Sequence, residues 1–335
     1  MKRAGLAVVG LAVAAWAALP VETGAQGRVT ITLASLAPEG SVWDLELKQM
    51  GSDWSKLSNG SVQLRVAPGG RLGSEASVIR QLRAGARPEA AALTTGLSNF
   101  DRGFSVFSLP FFFDSLDELT AVATALEPTL RARLDEQGVT LLAWGFGGWI
   151  HIFSRTPVAS MADLKGVRLF TTAGDSLAEN WYRRNGFNTV ALTPTDVAVS
   201  LQNGAITAMP APPYAALVFQ WYQQTPHMLD LEVAPLLGGL VVNTRTWQRV
   251  PADVRAKLID SARAMEGRLK TKIPVQDREA VKEMQARALK TVAPAPTFRK
   301  DAEALIDSMR GAWVPDDVYD LAVKARAAYR QARRP

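Results

Sequence analysis

Residues 29–67 read VTITLASLAPEGSVWDLELKQMGSDWSKLSNGSVQLRVA, and this stretch decides the fold class of the 335-residue chain. Alternating β-branched residues predict a strand over Val29–Ala34, and Ser41 is a typical N-cap for a helix from Val42 to about Leu57. A second alternating segment, Val62–Ala67, follows the helix. Strand, helix and strand at these lengths are typical of an α/β fold with a largely parallel sheet.

The alternation of strands and helices continues towards the C-terminus. Short apolar segments predict strands at Ala90–Thr94, Val139–Trp144 and Val167–Phe170. Leu240–Asn243 is expected to return to the first region as a strand. The rest of the chain is predicted to be helical, in the segments Pro251 to about Lys270, Val275–Leu289, Thr297–Gly311 and Pro315–Arg333. Pro274 is expected to kink or split this helical stretch.

Composition excludes several kinds of chemistry. The chain has no cysteine, which rules out a disulfide, a thiolate metal site and a thiol nucleophile. His151 and His227 are the only histidines, too few for a histidine-rich zinc site. The formal net charge is +6 without a basic stripe interleaved with aromatics, so we do not expect nucleic-acid binding. The sequence contains no G-x-S-x-G, H-E-x-x-H or P-loop motif, and we predict no enzyme activity.

The N-terminus has the layout of a secretory signal peptide. Lys2 and Arg3 precede an apolar run over Ala4–Leu19, and a stretch of small residues ends at Ala25. The apolar run is shorter than the ~20 residues that a membrane span requires. We therefore expect residues 1–25 to be a cleaved signal peptide and the remaining chain to be exported to a bacterial periplasm.

Several short blocks follow one another in a fixed order along the chain. They are GRLGSE at 70–75, QLRAG at 81–85, FSLPFFF at 107–113, MADLKGVRL at 161–169, LQNGA at 201–205 and WQRVP at 247–251. This ordered set resembles the DctP-type solute receptors of TRAP (tripartite ATP-independent periplasmic) transporters. The resemblance extends from about Ile31 to Val281, which is most of the chain.

The resemblance implies an α/β fold of the type II periplasmic-binding-protein kind, with two α/β lobes joined by crossing strands and a long hinge helix. Lobe I is expected to comprise residues 26–148 plus about 236–275. Lobe II is expected to comprise residues 149–235 plus about 276–335, including the C-terminal helices. The lobes close over a ligand by a hinge motion. A receptor of this kind delivers an organic acid to TRAP membrane subunits, and we expect a monomer with neither metal nor cofactor.

The resemblance also assigns a ligand-binding role to Arg168. In the family, an arginine in the block that reads DLKGVRL here binds the carboxylate of the ligand. A guanidinium group offers a rigid fork of donors that matches a carboxylate in a desolvated cleft. The alternative interpretation is an ordinary surface arginine.

Other ligand positions of the family carry apolar residues here. The position that is acidic in some members of the family is Leu93 here, with Thr94 beside it. The position of a second arginine is Trp149, and that of an asparagine is Ala211. The hydroxyls of a buried sugar acid would stay unpaired against such groups, at about 1–3 kcal/mol each. We therefore predict a monocarboxylate with an apolar or aromatic tail.

Two aromatic residues complete the predicted site. Phe170 lies close to Arg168, and Tyr214 follows the proline-rich segment MPAPP at 209–213. Both rings are candidates for stacking on the ligand tail, and packing in the core is the competing interpretation.

An alternative function keeps the same fold and the same site. In this alternative, the chain is an interaction protein that hands an apolar ligand to another periplasmic partner rather than to a symporter. The apolar character of the predicted cleft is compatible with both functions.

Overall fold

The computed structural model of the protein describes residues 28–174 and 176–333. The signal peptide predicted for residues 1–25 lies outside the described residues. Within the described ranges, no helix is both long enough and apolar enough to cross a membrane.

The described part of the chain contains ten strands and eleven α-helices. The strands are β1 Val29–Ser35, β2 Val62–Ala67, β3 Ala90–Leu93, β4 Val139–Ser154, β5 Leu169–Thr172, β6 Thr189–Leu192, β7 Ala208–Ala211, β8 His227–Leu229, β9 Ala234–Asn243 and β10 Lys290–Val292. The helices are α1 Val42–Leu57, α2 Glu75–Arg83, α3 Leu116–Glu136, α4 Met161–Gly166, α5 Ser176–Arg184, α6 Val197–Gln202, α7 Pro213–Val218, α8 Thr244–Gln248, α9 Ala252–Ala286, α10 Phe298–Glu303 and α11 Asp316–Ala332.

The predicted strand–helix–strand unit at residues 29–67 is confirmed. β1 pairs in parallel with β2 and, on its other edge, with β3. Ser41 caps α1, because its hydroxyl accepts a hydrogen bond from the backbone N–H of Asp44. The same helix buries Met50 and Trp54, which belong to the core of the first lobe.

Two long strands connect this first sheet to a second one. β4 and β9 run antiparallel to each other, from the pair Val139–Asn243 to the pair Ile150–Ala234. β9 also pairs with β3, and from His151 onwards β4 pairs with β7 and β8. The strand order is β2-β1-β3-β9-β4-β7-β5-β6, with β8 pairing with β4 and β10. The predicted two-lobe architecture with crossing strands is therefore present, although the strand predicted to end at Trp144 continues to Ser154.

A single long helix, α9, runs past the junction of the two lobes. Pro274 lies inside it, and of the predicted kink or split at this proline the split does not occur, because the helix is continuous over Ala252–Ala286. Proline removes one helical hydrogen bond and crowds the preceding turn. Here the buried side chains Leu269, Ile273 and Asp277 flank the proline, and α9 contacts α1, β4 and α7. We infer that this packing outweighs the local cost of the proline.

Two other predicted elements differ from the structure. The strand predicted at Val167–Phe170 begins at Leu169, because helix α4, which is capped by Ser160, extends to Gly166. The helix predicted at Thr297–Gly311 is replaced by the short helix α10 and a 3-10 turn at Asp307–Met309.

Candidate functional site

A cavity of about 210 Å³ lies between the two lobes, where the crossing strands pass from one sheet to the other. Its wall combines the turns that follow β3, the crossing strands β4 and β9, the second-lobe elements β5, β7 and α5, and helix α10 with the turn after it. We call the part beside the sheet the strand end, and it consists of Thr94, Ile150, Ile152, Phe170, Pro210 and Leu237.

Strand geometry explains why these residues face the cavity. Neighbouring residues of a strand point to opposite faces, so Ile150 and Ile152 lie on the same face of β4. Pro210 of β7 lies directly opposite Ile152 in the antiparallel pair. Phe170 follows on β5, which pairs with β7. Leu237 of β9 completes this surface, so the strand end, apart from Thr94, is an apolar surface built by the four neighbouring strands β9, β4, β7 and β5.

Another part of the cavity wall is aromatic, and we call it the aromatic end. Trp181, Tyr182, Phe187 and Trp313 line it, and their ring centroids lie 5.3 to 6.0 Å apart. The indole Nε1 of Trp181 donates a hydrogen bond of 2.9 Å to the hydroxyl of Ser308. Tilted and edge-to-face pairs of this kind are favourable arrangements of aromatic rings. This end of the cavity suits a ring or another apolar group.

The hydroxyl of Thr94 is the polar group in the wall whose direction is best defined. It donates a hydrogen bond of 2.9 Å to Oε1 of Glu75, and the backbone N–H of Thr94 donates to the same oxygen at 2.6 Å. The backbone N–H of Gly96 donates to Oε2 at 2.8 Å. Burial raises the pKa of Glu75, whereas these hydrogen bonds act in the opposite direction. Gly96 has no room for a side chain, because a Cβ atom would lie 2.4 Å from Oε2.

The described wall carries no formal charge. Its polar side-chain groups are threonine, serine and tyrosine hydroxyls, indole N–H groups and the amide of Asn99. No Asp, Glu, Lys, Arg or His lines the cavity among the residues that the structure describes. In the same ranges, no three His, Cys, Asp or Glu side chains form a group that could hold a metal ion. An ionised group without a partner is strongly disfavoured in such surroundings.

Arg168, the predicted carboxylate ligand, does not line this cavity. Its side chain is exposed, and its Nε and Nη2 atoms donate to the carbonyl oxygen of Gly204 at 2.9 and 2.5 Å. Its backbone N–H donates to the hydroxyl of Thr207. The reason is positional: Arg168 precedes β5, whereas the cavity lies along the strand from Leu169 onwards.

Two predicted site residues, Thr94 and Phe170, do line the cavity, and three others miss it by one position. Leu93, Trp149 and Ala211 are outside the lining set. Each is the immediate neighbour of a lining residue, namely Thr94, Ile150 and Pro210 respectively. Trp149 and Ala211 lie in strands, where adjacent residues face opposite sides of the sheet, so an error of one position exchanges the cavity face for the other face. Leu93 is the last residue of β3, and Thr94 begins the turn that follows it.

Tyr214 also lies outside the cavity and joins the two lobes instead. Its hydroxyl accepts a hydrogen bond of 3.0 Å from the backbone N–H of Val42, and its ring lies 4.8 Å from that of Trp43. Its own backbone N–H donates to Oδ1 of Asp277 at 2.9 Å. Burial raises the pKa of Asp277 to about 7, although the hydrogen bonds from the backbone N–H groups of Tyr214 and Trp149 lower it. The sequence carries no signal for this role of Asp277.

The lobes also touch at the rim of the cleft. Gly70 of the first lobe has a positive φ of 71°, and a Cβ atom there would lie 3.3 Å from Cγ2 of Thr195 in the second lobe. Together with the contact between Tyr214 and Val42, this proximity indicates that the structure describes a closed arrangement of the lobes.

Comparison with known proteins decides the family. The family model described as bacterial extracellular solute-binding protein, family 7 (DctP), matches residues 33–311. This chain belongs to the DctP family. The DctP description names the binding of a solute and an extracellular location, and it confirms the resemblance inferred from the sequence blocks.

Relatives of this DctP-family protein are distant in sequence. The C4-dicarboxylate-binding periplasmic protein DctP of Rhodobacter capsulatus is 25% identical over 208 residues, which are 61% of each chain. The 2,3-diketo-L-gulonate-binding periplasmic protein YiaO of Escherichia coli is 22% identical over 305 residues, covering 87% of this chain and 92% of the relative.

Solved structures confirm the fold of the DctP-family protein. A TRAP periplasmic solute-binding protein of Pseudomonas putida F1 with bound D-glucuronate has a TM-score of 0.81 at 22% identity, over 89% of this chain and 97% of the other. One from Desulfovibrio salexigens with bound orotic acid has a TM-score of 0.84 at 14% identity, over 90% and 99%.

Proposed function

We propose that this DctP-family protein is a TRAP solute receptor that encloses a small organic solute with an apolar or aromatic body and delivers it to TRAP membrane subunits. The observation that carries the proposal is the cavity between the lobes, because both lobes and the crossing strands contribute to its wall. A solute that contacts both lobes favours their closed arrangement over an open one.

The chemistry of the wall supports an apolar solute over a sugar acid. Ile150, Ile152, Phe170 and Pro210 form the strand end, and none of these side chains can pair with a hydroxyl. Each buried hydroxyl left without a partner costs about 1–3 kcal/mol. D-Glucuronate, which is bound in the relative from Pseudomonas putida F1, would bring several hydroxyls into this cavity, and those at the strand end would meet mainly apolar side chains.

The acidic group of the predicted ligand is supported by the relatives, because D-glucuronate, orotic acid and C4-dicarboxylates are all organic acids. The monocarboxylate prediction depended on Arg168, whose guanidinium donates to the carbonyl of Gly204. The apolar or aromatic tail is the part of that prediction that the wall of the cavity supports.

The test of the proposed function uses two tryptophans of the cavity, Trp181 and Trp313, as fluorescent reporters. Purified protein is titrated with aromatic and branched aliphatic solutes and, in parallel, with D-glucuronate and L-gulonate. The proposal predicts a saturable change in tryptophan emission and a raised Tm with apolar solutes. Phe170→Ala should weaken this response, and Arg168→Ala is the matched control that should retain it. Saturable binding of a sugar acid, and of no apolar solute, would contradict the proposal.

The same apolar wall also suits a carrier that hands its ligand to a periplasmic partner other than a symporter. The two functions differ in what happens when the TRAP membrane subunits are deleted from the host. Uptake of the solute that disappears with these subunits supports the receptor, whereas uptake that survives their deletion supports the carrier.

A further inference from the structure

We infer that the hydroxyl of Thr171, near the carboxyl end of β5, donates a hydrogen bond to the acidic group of the solute and so positions a small aryl carboxylate in the cavity. This inference rests on the proposed function, because it takes the cavity between the lobes as the solute site. It adds the residue that binds the acidic group and the size of the acid.

The hydroxyl of Thr171 is buried without a partner. Thr171 is 8% exposed, and its Oγ1 atom makes no hydrogen bond. Every other side chain that buries an unpartnered polar atom in the described ranges lies outside the cavity wall. A buried polar group without a partner costs about 1–3 kcal/mol. A solute that accepts a hydrogen bond from Thr171 removes this cost when it binds.

Two other hydroxyls of the wall already donate their protons to the protein. The hydroxyl of Thr94 donates to Oε1 of Glu75 at 2.9 Å, and that of Ser98 donates to the carbonyl oxygen of Thr95 at 2.8 Å. Because a hydroxyl has one proton, these two groups can only accept from a solute. Thr171 still has its proton to donate, and an acid brings the acceptor oxygens that match it.

Neutral donors are the partners that this wall offers to an anion. The described residues that line the cavity include no Lys, Arg or His. A carboxylate that accepts several hydrogen bonds from neutral donors stays ionised without a cation. A hydrogen bond to a charged oxygen is worth about 1.5–3 kcal/mol, more than one to a neutral acceptor. Thr172 and Asn99 carry further donors in the same wall, so an ionised carboxylate finds hydrogen-bond partners there.

The position of Thr171 is typical of a ligand site in an α/β sheet. All residues from Leu169 to Ala173 line the cavity, so the cavity follows β5 to its carboxyl end. β5 runs parallel to both β6 and β7. Ligands of open α/β sheets bind outside the carboxyl ends of the strands. The second lobe therefore presents the hydroxyl of Thr171 where a solute is expected.

The volume of the cavity limits the acid to a small one. A cavity of about 150 Å³ accommodates benzene. The cavity here measures about 210 Å³, which leaves space for a carboxylate but not for a second ring. The aromatic end suits the ring of such a solute. Benzoate is therefore the simplest probe of the class.

The experiment compares three probes that share a ring and differ in the acceptor that they bring to Thr171: benzoate, methyl benzoate and toluene. Their affinities for the wild type and for Thr171→Val are measured at pH 7.5 by calorimetry. The valine keeps the shape of the side chain and removes the hydroxyl, so the loss of affinity should follow the strength of the acceptor. We expect a loss of about ten- to hundredfold for benzoate, about three- to tenfold for methyl benzoate and less than about twofold for toluene.

Two further variants assign this loss to the hydroxyl. Thr171→Ser keeps the hydroxyl and should bind benzoate within about threefold of the wild type. Thr291→Val is the same substitution at an exposed threonine of β10 outside the cavity, and this matched control should bind all three probes as the wild type does. The Tm of solute-free Thr171→Val should not fall, because the change removes an unpartnered hydroxyl rather than a hydrogen bond.

Each contrary result has a defined meaning. Equal losses of benzoate and toluene binding in Thr171→Val, or a lower Tm of this variant without solute, would show a structural role and overturn the inference, while the proposed receptor survives. Unchanged binding of benzoate in Thr171→Val, or binding of toluene without benzoate by the wild type, overturns the inference as well. Binding of D-glucuronate with none of the three probes overturns the proposed function together with this inference.

Discussion

The backbone N–H of Val42 donates a hydrogen bond of 3.0 Å to the hydroxyl of Tyr214, and this bond ties the start of α1 to α7 across the two lobes. The ring of Tyr214 lies 4.8 Å from Trp43, on the same helix as Val42. The backbone N–H of Tyr214 in turn donates to Asp277 of α9. One tyrosine thus connects both lobes and the long helix, outside the cavity itself.

Tyr214→Phe should weaken solute binding without unfolding the protein. The change removes the hydrogen bond between the lobes and keeps the ring, so the closed arrangement loses about 1 kcal/mol. Affinity for an apolar solute should fall about three- to tenfold, and small-angle scattering should report a more open average shape. The matched control is Tyr222→Phe, which removes a hydroxyl that accepts from Arg287. Unchanged affinity in Tyr214→Phe would argue against this role.

Asp277 should make stability depend on pH between its ordinary pKa of 3.8 and its raised pKa of about 7. The folded protein binds this proton more tightly than the unfolded chain does. The contribution of this proton to the free energy of unfolding is fully present below the pKa of Asp277 in the unfolded chain. It is lost as pH rises through the pKa in the folded protein, at up to about 1.4 kcal/mol per pH unit.

Denaturant unfolding across this pH range measures the effect of Asp277. The free energy of unfolding should fall less steeply with rising pH in Asp277→Asn than in the wild type. Asp260→Asn, at an exposed position of the same helix, serves as the control and should follow the wild type. The negative charge of Glu232 raises the pKa of Asp277 further, and the positive charge of Arg278 lowers it. Parallel pH profiles of wild type and Asp277→Asn would refute the prediction.

Alanine substitutions at two neighbouring glycines distinguish the effect of backbone strain from the effect of contact between the lobes. Gly69 and Gly70 have φ values of 65° and 71°, so an alanine at either position is strained, at about 1 kcal/mol. A Cβ atom at Gly70 meets Thr195 and Leu36 at 3.3 Å, whereas one at Gly69 has no atom within 4 Å.

Gly69→Ala and Gly70→Ala should therefore lower Tm by similar amounts, but only Gly70→Ala should weaken solute binding. The reason is that its methyl group interferes with closure of the lobes at the rim. Thermal unfolding and solute titration of the two variants check both parts. An equal loss of affinity in both variants would show that strain, rather than contact between the lobes, controls binding.

Arg168→Ala should leave solute affinity unchanged within about twofold. Its guanidinium binds the carbonyl of Gly204 outside the cavity, so the loss is confined to stability, at about 1 kcal/mol or less. Phe170→Leu, which shortens a side chain of the cavity wall, should weaken binding of an aromatic solute in the same titration. A large loss of affinity in Arg168→Ala would restore the carboxylate site predicted from the sequence.

The sequence predicts the fold better than it predicts the site, and the strands explain why. Alternation at 29–67 and the ordered blocks are sufficient for two α/β lobes, because these patterns extend over many residues. A site depends on which face of a strand a residue occupies, and this reverses with every position. Leu93, Trp149 and Ala211 are each one position away from the residue that lines the cavity.

Other features of the site depend on contacts between residues far apart in the chain. Glu75 lies within a recognised block, but its partners Thr94 and Gly96 come after helix α2 and strand β3 and carry no matching pattern. Pro274 is a helix breaker by local propensity, and only tertiary packing keeps α9 continuous. In contrast, the apolar character of the cleft is predicted from Leu93, Trp149 and Ala211 at ligand positions of the family. These residues do not line the cavity, but other apolar residues in its wall support the predicted character.

A crystal structure of the protein purified with the solute that it retains from its own host tests the central claim most directly. We predict density for a solute in the cavity, in contact with Ile150 and Phe170. Density for a carboxylate held by the guanidinium of Arg168, with the cavity empty, would contradict it.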